Sequence, residues 1–408
     1  MRILQVNKYG FRKGGADIYA LDLAERLETR GHNVALFARG IEDLTASIIK
    51  YDLEMINYWD KSNLATKVRH GMDVVWSRSI ARAFDEVIAT FEPDVIHFHS
   101  IAHQLSHSIV YAARHRNIPT VMTCHDYKLL CPSYTATRKD MLQCFDCSLN
   151  RVPTGVIKHQ CLHDKLTWSL TAAIESTAIR SIDSALPEVL IAPSRFMEKQ
   201  LNSSWLSTKC QVTRVENPCR APTLEWTGPR EDEAYILYAG RLSEEKGVDT
   251  AISAASRAQV KLVIAGDGPA MGSLQHLASS EGVMADFLGK IDRPQLDQIA
   301  ARSSAQVIPS RWPENAPLVA IDSGAIGVPL VVSDIGGMGE IVDALGFGWR
   351  VAPDDIAAFA AAFVEATAGT LPASSPDPFR EARSWDRHVD QIENVYSDGC
   401  RRHQPANC

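Results

Sequence analysis

The sequence predicts an α/β protein built from two doubly wound parallel-sheet domains. Three observations predict it. Short apolar runs alternate with helical patterns up to residue 213, and the same alternation starts afresh at residue 234. The stretch between them, RVENPCRAPTLEWTGPREDE (214–233), is rich in Pro and charge and poor in periodicity, as a linker is. At 408 residues and 45% hydrophobic composition the chain exceeds one ordinary domain and can bury a large core.

In the first domain (1–213) the expected strands are RILQV (2–6), NVALFA (33–38), DVIHFH (94–99), PTVMTCH (119–125) and VLIAPS (189–194). DIYALDLAERLETRG (17–31) is the first helix, with Ile18, Leu21, Leu23 and Leu27 on its buried face and Gly31 as its stop. VVWSRSIARAF (74–84) mixes Trp, Arg and apolar residues; it reads as a half-buried helix, with weak contact to a membrane surface as the other reading. In the second domain (234–383) the strands are AYILYAG (234–240), VKLVIAG (260–266), ADFLGK (285–290), AQVIPS (305–310) and PLVVSD (329–334). Near the end, Trp385, Val389, Ile392, Val395 and Tyr396 fall at the spacing of one amphipathic helix. A helix over 384–397 packing back on the first domain is expected, with a frayed tail from Ser397.

A net charge of −7 without dense Lys/Arg clusters excludes a general polyanion binder, so nucleic acid is not an expected partner. The opening MRILQV is shorter than the apolar core of a signal peptide, and no run reaches the 18 or more apolar residues of a membrane span. The expected location is cytoplasmic, at the inner membrane face if the acceptor is lipid-linked. The nine cysteines then read as thiols or metal ligands rather than a disulfide framework.

Ligands of doubly wound sheets sit beyond the carboxyl ends of the strands, and two such domains facing one another would make a deep cleft there. The first strand runs into KYGFRKGGAD, where the amides of Gly14 and Gly15 would approach a phosphate at a helix N-terminus; a tight turn without ligand reads equally well. AGRLSEEKG (239–247) sets Gly240, Arg241 and Lys246 in a strand-to-helix connection, a fork and a point charge suited to a diphosphate or, alternatively, two solvated cations. IAGDGP (264–269) and FLGK (287–290) put Gly266, Gly268, Leu288 and Gly289 in turns on the same rim. PSRWPENAPLVAID (309–322) opens a helix at Pro317, so the amides of Asn315, Ala316 and Leu318 face an anion. Glu314 would repel a bare phosphate and suits the hydroxyls of a sugar held beside one. Asp322, eight residues on, returns to nearly the same face and suits a ribose diol; the alternative is a capping Glu314 and a solvated Asp322.

Taken together AGRLSEEKG, IAGDGP, FLGK, PSRWPENAPLVAID and SDIGGMGEIV, in that order, resemble a retaining glycosyltransferase of family 4 with the GT-B architecture of two facing Rossmann-like domains; the resemblance runs from MRILQVNKYGFRKGGAD to the final helix. It implies transfer of a hexose-type sugar from a nucleotide diphosphate sugar, UDP-sugar first, to a hydroxyl of a saccharide, lipid-linked or small-molecule acceptor. It further implies that Arg241 and Lys246 clamp the diphosphate, Glu314 binds donor-sugar hydroxyls, Asp322 binds ribose hydroxyls, Leu288 and Gly289 meet the base, and Gly14 and Gly15 approach the phosphates. The family usually has Glu where this chain has Asp322, shorter by one methylene of roughly 1.3 Å, and a misplacement of about 1 Å costs on the order of 100-fold where positioning matters.

The same resemblance places His125 near the reacting carbon and gives His99 and Asp126 to the acceptor side. The chain has no Asp-x-Asp, and the resemblance implies a reaction without a divalent ion, in which the leaving phosphate oxygen takes the acceptor proton and domain closure excludes water. Cys131, Cys144, Cys147 and Cys161 form C-x12-C-x2-C-x13-C, close in outline to a zinc ribbon, although only one of its two CxxC pairs is present. Similar cysteines mark a bacterial-type subgroup that the chain resembles. Structural zinc, free buried thiols and oxidised pairs are all open, and zinc here would shape the acceptor pocket. Rival functions are a non-catalytic nucleotide-sugar binding protein and a sugar-nucleotide 2-epimerase on the same architecture.

Overall fold

The continuous apolar runs become strands of two all-parallel sheets. The computed structural model describes residues 1–42, 44–55, 75–102, 104–162, 165–229, 233–369 and 375–403. The chain divides into two units: residues 1–139, 144–215 and His388 onward make the first, and residues 140–143 and 216–387 the second.

In the first unit β1 (Arg2–Tyr9), β2 (Asn33–Arg39), β3 (Ile49–Leu53), β4 (Val95–Phe98), β5 (Thr120–Thr123), β6 (Val189–Ala192) and β7 (Gln211–Arg214) pair in the order β3-β2-β1-β4-β5-β6-β7. Helices on both faces explain why β4, β5 and β6 are buried at every position. Helix α1 (Gly15–Thr29) buries Tyr19, Leu21, Leu23 and Leu27; Tyr19 takes the core place expected for Ile18, which is only half-buried. Helix α2 (Arg78–Phe91) buries Ile80, Phe84, Val87, Ile88 and Phe91, and Phe84 meets Phe37 edge-on at 4.9 Å. Of the 74–84 segment, Val74 lies outside the described residues, and Ile80 and Phe84 point into the core, so the membrane reading fails there. The other helices among the described residues are α3 (Ser108–His115), α4 (Thr154–Lys158), α5 (Leu166–Ser181) and α6 (Arg195–Asn202).

In the second unit β8 (Tyr235–Ala239), β9 (Lys261–Ala265), β10 (Ala285–Gly289), β11 (Ala305–Ile308), β12 (Leu330–Ser333) and β13 (Trp349–Val351) pair in the order β10-β9-β8-β11-β12-β13. Helices α7 (Val248–Ala258), α8 (Met271–Ser280), α9 (Arg293–Ala301), α10 (Leu318–Ile326), α11 (Met338–Leu345), α12 (Ile356–Thr367) and α13 (Asp377–Ala382) connect and flank them.

Two expectations need correction. The segment 214–233 is not a free connector: Trp226 donates its indole N–H to the Ser303 carbonyl and its backbone N–H to Ile326, which ties 216–229 to the second unit; residues 230–232 lie outside the described ones. The last helix, α14 (Trp385–His403), runs past Ser397 because His403 bonds the Asn117 carbonyl at 2.9 Å and the Glu188 carboxylate at 2.8 Å. Its apolar face is buried as expected at Trp385, Val389, Ile392, Val395 and Tyr396.

Candidate active site

In a doubly wound sheet the strand order reverses at a switch point, and loops leaving the neighbouring strands diverge there to open a crevice. In the second unit that point lies between β8 and β11. The loop after β8 carries Gly240, Arg241 and Lys246, and the loop after β11 carries Ser310, Trp312, Glu314 and Asn315. The two loops meet: Lys246 Nζ donates to Glu314 Oε1, which also accepts from Ser310 Oγ at 3.1 Å. Lys246 also stands 4.8 Å from the Trp312 ring centre, a cation–π contact. Glu314 is buried, yet its Oε2 accepts no hydrogen bond among the described residues.

The glycine turn after β12 explains the pattern that returns at SDIGG. A Cβ on Gly336, at φ +68°, would stand 2.2 Å from the Glu314 carbonyl oxygen, and the Gly337 N–H donates to that same oxygen at 2.7 Å. The turn thus clamps the backbone that aims Glu314. Pro317 is the residue before α10 rather than its first (φ −68°, ψ 121°), so the helix opens on the amides of Leu318 and its successor, which have no acceptor within the helix.

Arg241 is exposed, and its side chain has no partner among the described residues. Its carbonyl accepts from the buried Tyr238 hydroxyl at 2.8 Å, which fixes the loop. Burial raises the Tyr238 pKa and the nearby Glu314 and Glu245 carboxylates raise it further, so the phenol stays a donor. Gly266 follows β9 so close to its neighbour that a Cβ would stand 1.8 Å from the Gly240 oxygen. Gly268, Leu288 and Gly289 lie at the same strand ends, and Gly266 N–H donates to Gly289 at 2.8 Å.

Asp322 is not solvated. It is buried on α10 and accepts from the Arg220 backbone N–H at 3.0 Å and Nε at 3.2 Å, with Arg293 Nη2 at 3.0 Å. Burial raises its pKa against the lowering influence of Arg220. Neither arginine stood out in the sequence, because the contacts join segments far apart in the chain.

In the first unit the switch point lies between β1 and β4. Gly14 and Gly15 follow β1, His99 follows β4, and His125 and Asp126 follow β5. Gly14 precedes α1, and its N–H bonds Asp17, a buried carboxylate that also accepts from Asn7 Nδ2 at 2.9 Å; burial raises the Asp17 pKa. Asp126 Oδ1 accepts the Lys128 N–H at 2.9 Å, closing a turn.

The histidines form a directed chain. Gln5 donates Nε2–H to the Tyr396 hydroxyl at 3.1 Å and accepts His99 Nε2–H on Oε1 at 2.7 Å. Neutral His99 then offers its Nδ1 lone pair, 3.2 Å from His125 Nε2, which is the donor. The Tyr396 hydroxyl donates to His97 Nδ1 at 2.6 Å, and His97 Nε2–H donates to Thr123 Oγ1 at 2.8 Å. Burial drives the pKa values of His97 and His99 well down, and that of His125 down to about 3 with help from Lys8, so all three are neutral. Proton placement therefore leaves His125 with Nδ1 as its free lone pair.

The cysteine loop is stapled by Arg180, fully buried on α5, whose guanidinium donates to the carbonyls of Cys147, Asn150, Leu129 and Leu130 at 2.6–3.0 Å. No disulfide joins the described cysteines. Cys131 and Cys147 are buried among apolar residues, and burial with neighbouring thiols pushes Cys147 up to about 11 and Cys161 up to about 12. Among the described residues the group whose ligand atoms lie within 4.8 Å of one another is Cys144, Asp146 and His159, not the four cysteines. Thiolate, carboxylate and imidazole are all zinc ligand types, so this donor set fits a zinc ion.

The family model described as Glycosyltransferase Family 4 matches residues 13–219, and that described as Glycosyl transferases group 1 matches residues 224–372. A glycogen synthase of Mycobacterium tuberculosis is 30% identical over 282 residues, which cover 67% of this chain and 60% of that protein. Among solved structures, sucrose-phosphate synthase from Thermosynechococcus elongatus superposes with a TM-score of 0.68 at 18% identity, over 97% of this chain and 98% of that one. Anabaena Alr3699/HepE in complex with UDP superposes with a TM-score of 0.62 at 17% identity, over 98% and 100% of the two chains. At these identities the structures speak to the fold, which is GT-B.

Proposed function

The chain belongs to glycosyltransferase family 4, and from that premise we propose that it is a retaining transferase moving a hexose-type sugar from UDP-sugar to a hydroxyl acceptor. The observation that carries this reading is the pairing of Lys246 with Glu314 at the β8/β11 switch point. A diphosphate beside the loop after β8 meets Lys246 and the exposed guanidinium of Arg241, whose charges offset the negative charge that builds on the leaving group. Glu314 Oε2 accepts from no donor among the described residues and is open to a sugar hydroxyl. The α10 amides add a partial positive charge. Gly240, Gly266, Gly268, Leu288 and Gly289 are assigned to the nucleotide.

In the reaction the bond from the anomeric carbon to the phosphate oxygen breaks and the bond to the acceptor oxygen forms on the same face. The acceptor proton passes to the leaving phosphate oxygen, giving a nucleoside diphosphate and a glycoside, with no step assigned to a divalent ion. His125, with His99 and Asp126, is assigned to the acceptor side in the first unit, and its Nδ1 lone pair is suited to receiving a hydroxyl hydrogen bond. Gly14 and Gly15 are assigned to the phosphates. Asp322, bound by two arginines, is assigned to ribose through those arginines or a bridging water. A saccharide, a lipid-linked saccharide or a small molecule all fit as acceptor class, and the cytoplasm fits as location. Zinc, where bound in the cysteine loop, would be structural.

The test is turnover of a UDP-hexose panel followed by UDP release, with the product anomer read by proton NMR. Release of UDP with retained configuration supports the reading. A bound donor that neither transfers nor hydrolyses favours a binding protein, and a sugar inverted at carbon 2 favours an epimerase.

A further inference from the structure

Helix α5 (Leu166–Ser181) is built inside out. Its inward face is mostly small or charged: Ser169, Ala172, Ala173 and Ser176 are buried, Glu175 is buried in an ion pair with Lys128 at 2.9 Å, Arg180 is buried under the cysteine loop, and Ile179 is the one large apolar residue that turns inward. Its outward face is apolar: Leu166 is 54% exposed, Trp168 53%, Leu170 46% and Ile174 58%. Leu166, Leu170 and Ile174 recur every four residues and so form one stripe. A helix facing water shows the opposite pattern, with charge outside and apolar residues within. The other exposed side chains beside the stripe are Thr167 and Thr171, and the Thr171 hydroxyl is satisfied by the Thr167 carbonyl at 2.9 Å. Among the described residues of the helix no charge stands on this face.

We propose that this face of α5 is a docking surface for an anionic lipid bilayer. Lys165 opens the helix, and Lys158 lies exposed on α4, which packs against α5. Neither ammonium has a side-chain partner among the described residues. Anionic headgroups supply a countercharge to these cations, while the stripe enters the acyl boundary and Trp168 takes the level of the headgroups. Among the described residues a second copy of this chain offers no carboxylate on the same face to meet the lysines, and so answers the charge less well. No described helix is long and apolar enough to cross a membrane; at about 1.5 Å per residue, α5 would lie along the surface. The contact belongs to α5, not to the 74–84 segment.

The test uses the full chain with vesicles of phosphatidylcholine alone and of phosphatidylcholine with phosphatidylglycerol, read by cosedimentation, with size-exclusion light scattering in parallel. The wild type is expected to partition onto the anionic vesicles at least tenfold more strongly than onto the neutral ones. Leu170→Ser with Ile174→Ser, and separately Lys158→Glu with Lys165→Glu, are each expected to lower that partition about tenfold or more with an unchanged melting temperature, since all four sites are exposed. A wild type that ignores anionic vesicles, or variants that bind as it does, overturns the proposal. A wild-type dimer that the Leu170/Ile174 variant breaks, without vesicle binding, also overturns it and assigns the face to a second copy. Donor turnover plays no part in this readout, so its failure leaves the proposal intact.

Discussion

The hydroxyl of Tyr396, from the last helix, lies 2.6 Å from Nδ1 of His97, from the fourth strand. Tyr396 also accepts the amide of Gln5, which holds His99, which in turn faces His125. A residue near the C-terminal end thus sets the proton positions of a group assigned to the acceptor side. Tyr396→Phe removes both bonds and leaves His97 Nδ1 and the Gln5 amide buried without partners. The expected cost is about 1–3 kcal/mol per orphaned group in urea unfolding. Nitrogen-15 shifts of the histidine rings should report a changed tautomer population at His97, whereas a wild-type spectrum would mean that Tyr396 does not set it.

Four histidines, the buried His97, His99 and His107 and the half-buried His125, have pKa values lowered chiefly by desolvation. The unfolded chain binds their protons below about pH 6.5 while the folded chain refuses them. Their contribution to stability is full above that pH and is lost as pH falls toward the folded values, by up to about 1.4 kcal/mol per pH unit for each ring. Melting temperature should therefore fall steeply between pH 7 and pH 5. A flat profile over that range would contradict the neutral chain.

The buried Asp322 holds two part-exposed arginines. Asp322→Asn removes the countercharge and, because Arg220 and Arg293 are part-exposed and can turn to water, should destabilise the second unit by about 1–3 kcal/mol. Measuring UDP affinity on the same variant separates the two roles: lost stability with intact affinity assigns Asp322 to the fold, and reduced affinity supports its place beside ribose.

Expressed with zinc in the medium, the chain should carry about one zinc ion by elemental analysis, and Cys144→Ser should lose it, because Cys144 belongs both to the four-cysteine pattern and to the group with Asp146 and His159. Loss in His159→Ala but not in Cys161→Ala identifies the group that the fold gathers; the reverse identifies the four cysteines. Metal-free wild type would set the zinc assignment aside.

Central strands were readable because burial on both faces leaves continuous apolar runs, as in VLIA and LVVS. The edges were not. IKYDL is half exposed, QVTR is polar, and WRV is three residues long, so β3, β7 and β13 lack that signal. The loops carrying Arg241, Lys246 and Glu314 were legible because glycine and proline punctuate them. Their mutual contact was not, since Lys246 and Glu314 are 68 positions apart. His97 looked like an ordinary strand residue because its partner Tyr396 is 299 positions away. Helix α5 raised no expectation, for its apolar residues signal burial in a sequence and only the fold shows them facing out.

The central claim is that Lys246 and Glu314 form the donor site, and calorimetric titration of UDP-hexose in EDTA tests it most directly, comparing the wild type with Lys246→Ala and Glu314→Gln. The account predicts saturable binding by the wild type and affinity lowered about tenfold or more in each variant at unchanged fold. Binding of equal strength in all three proteins, or none in the wild type, would contradict it.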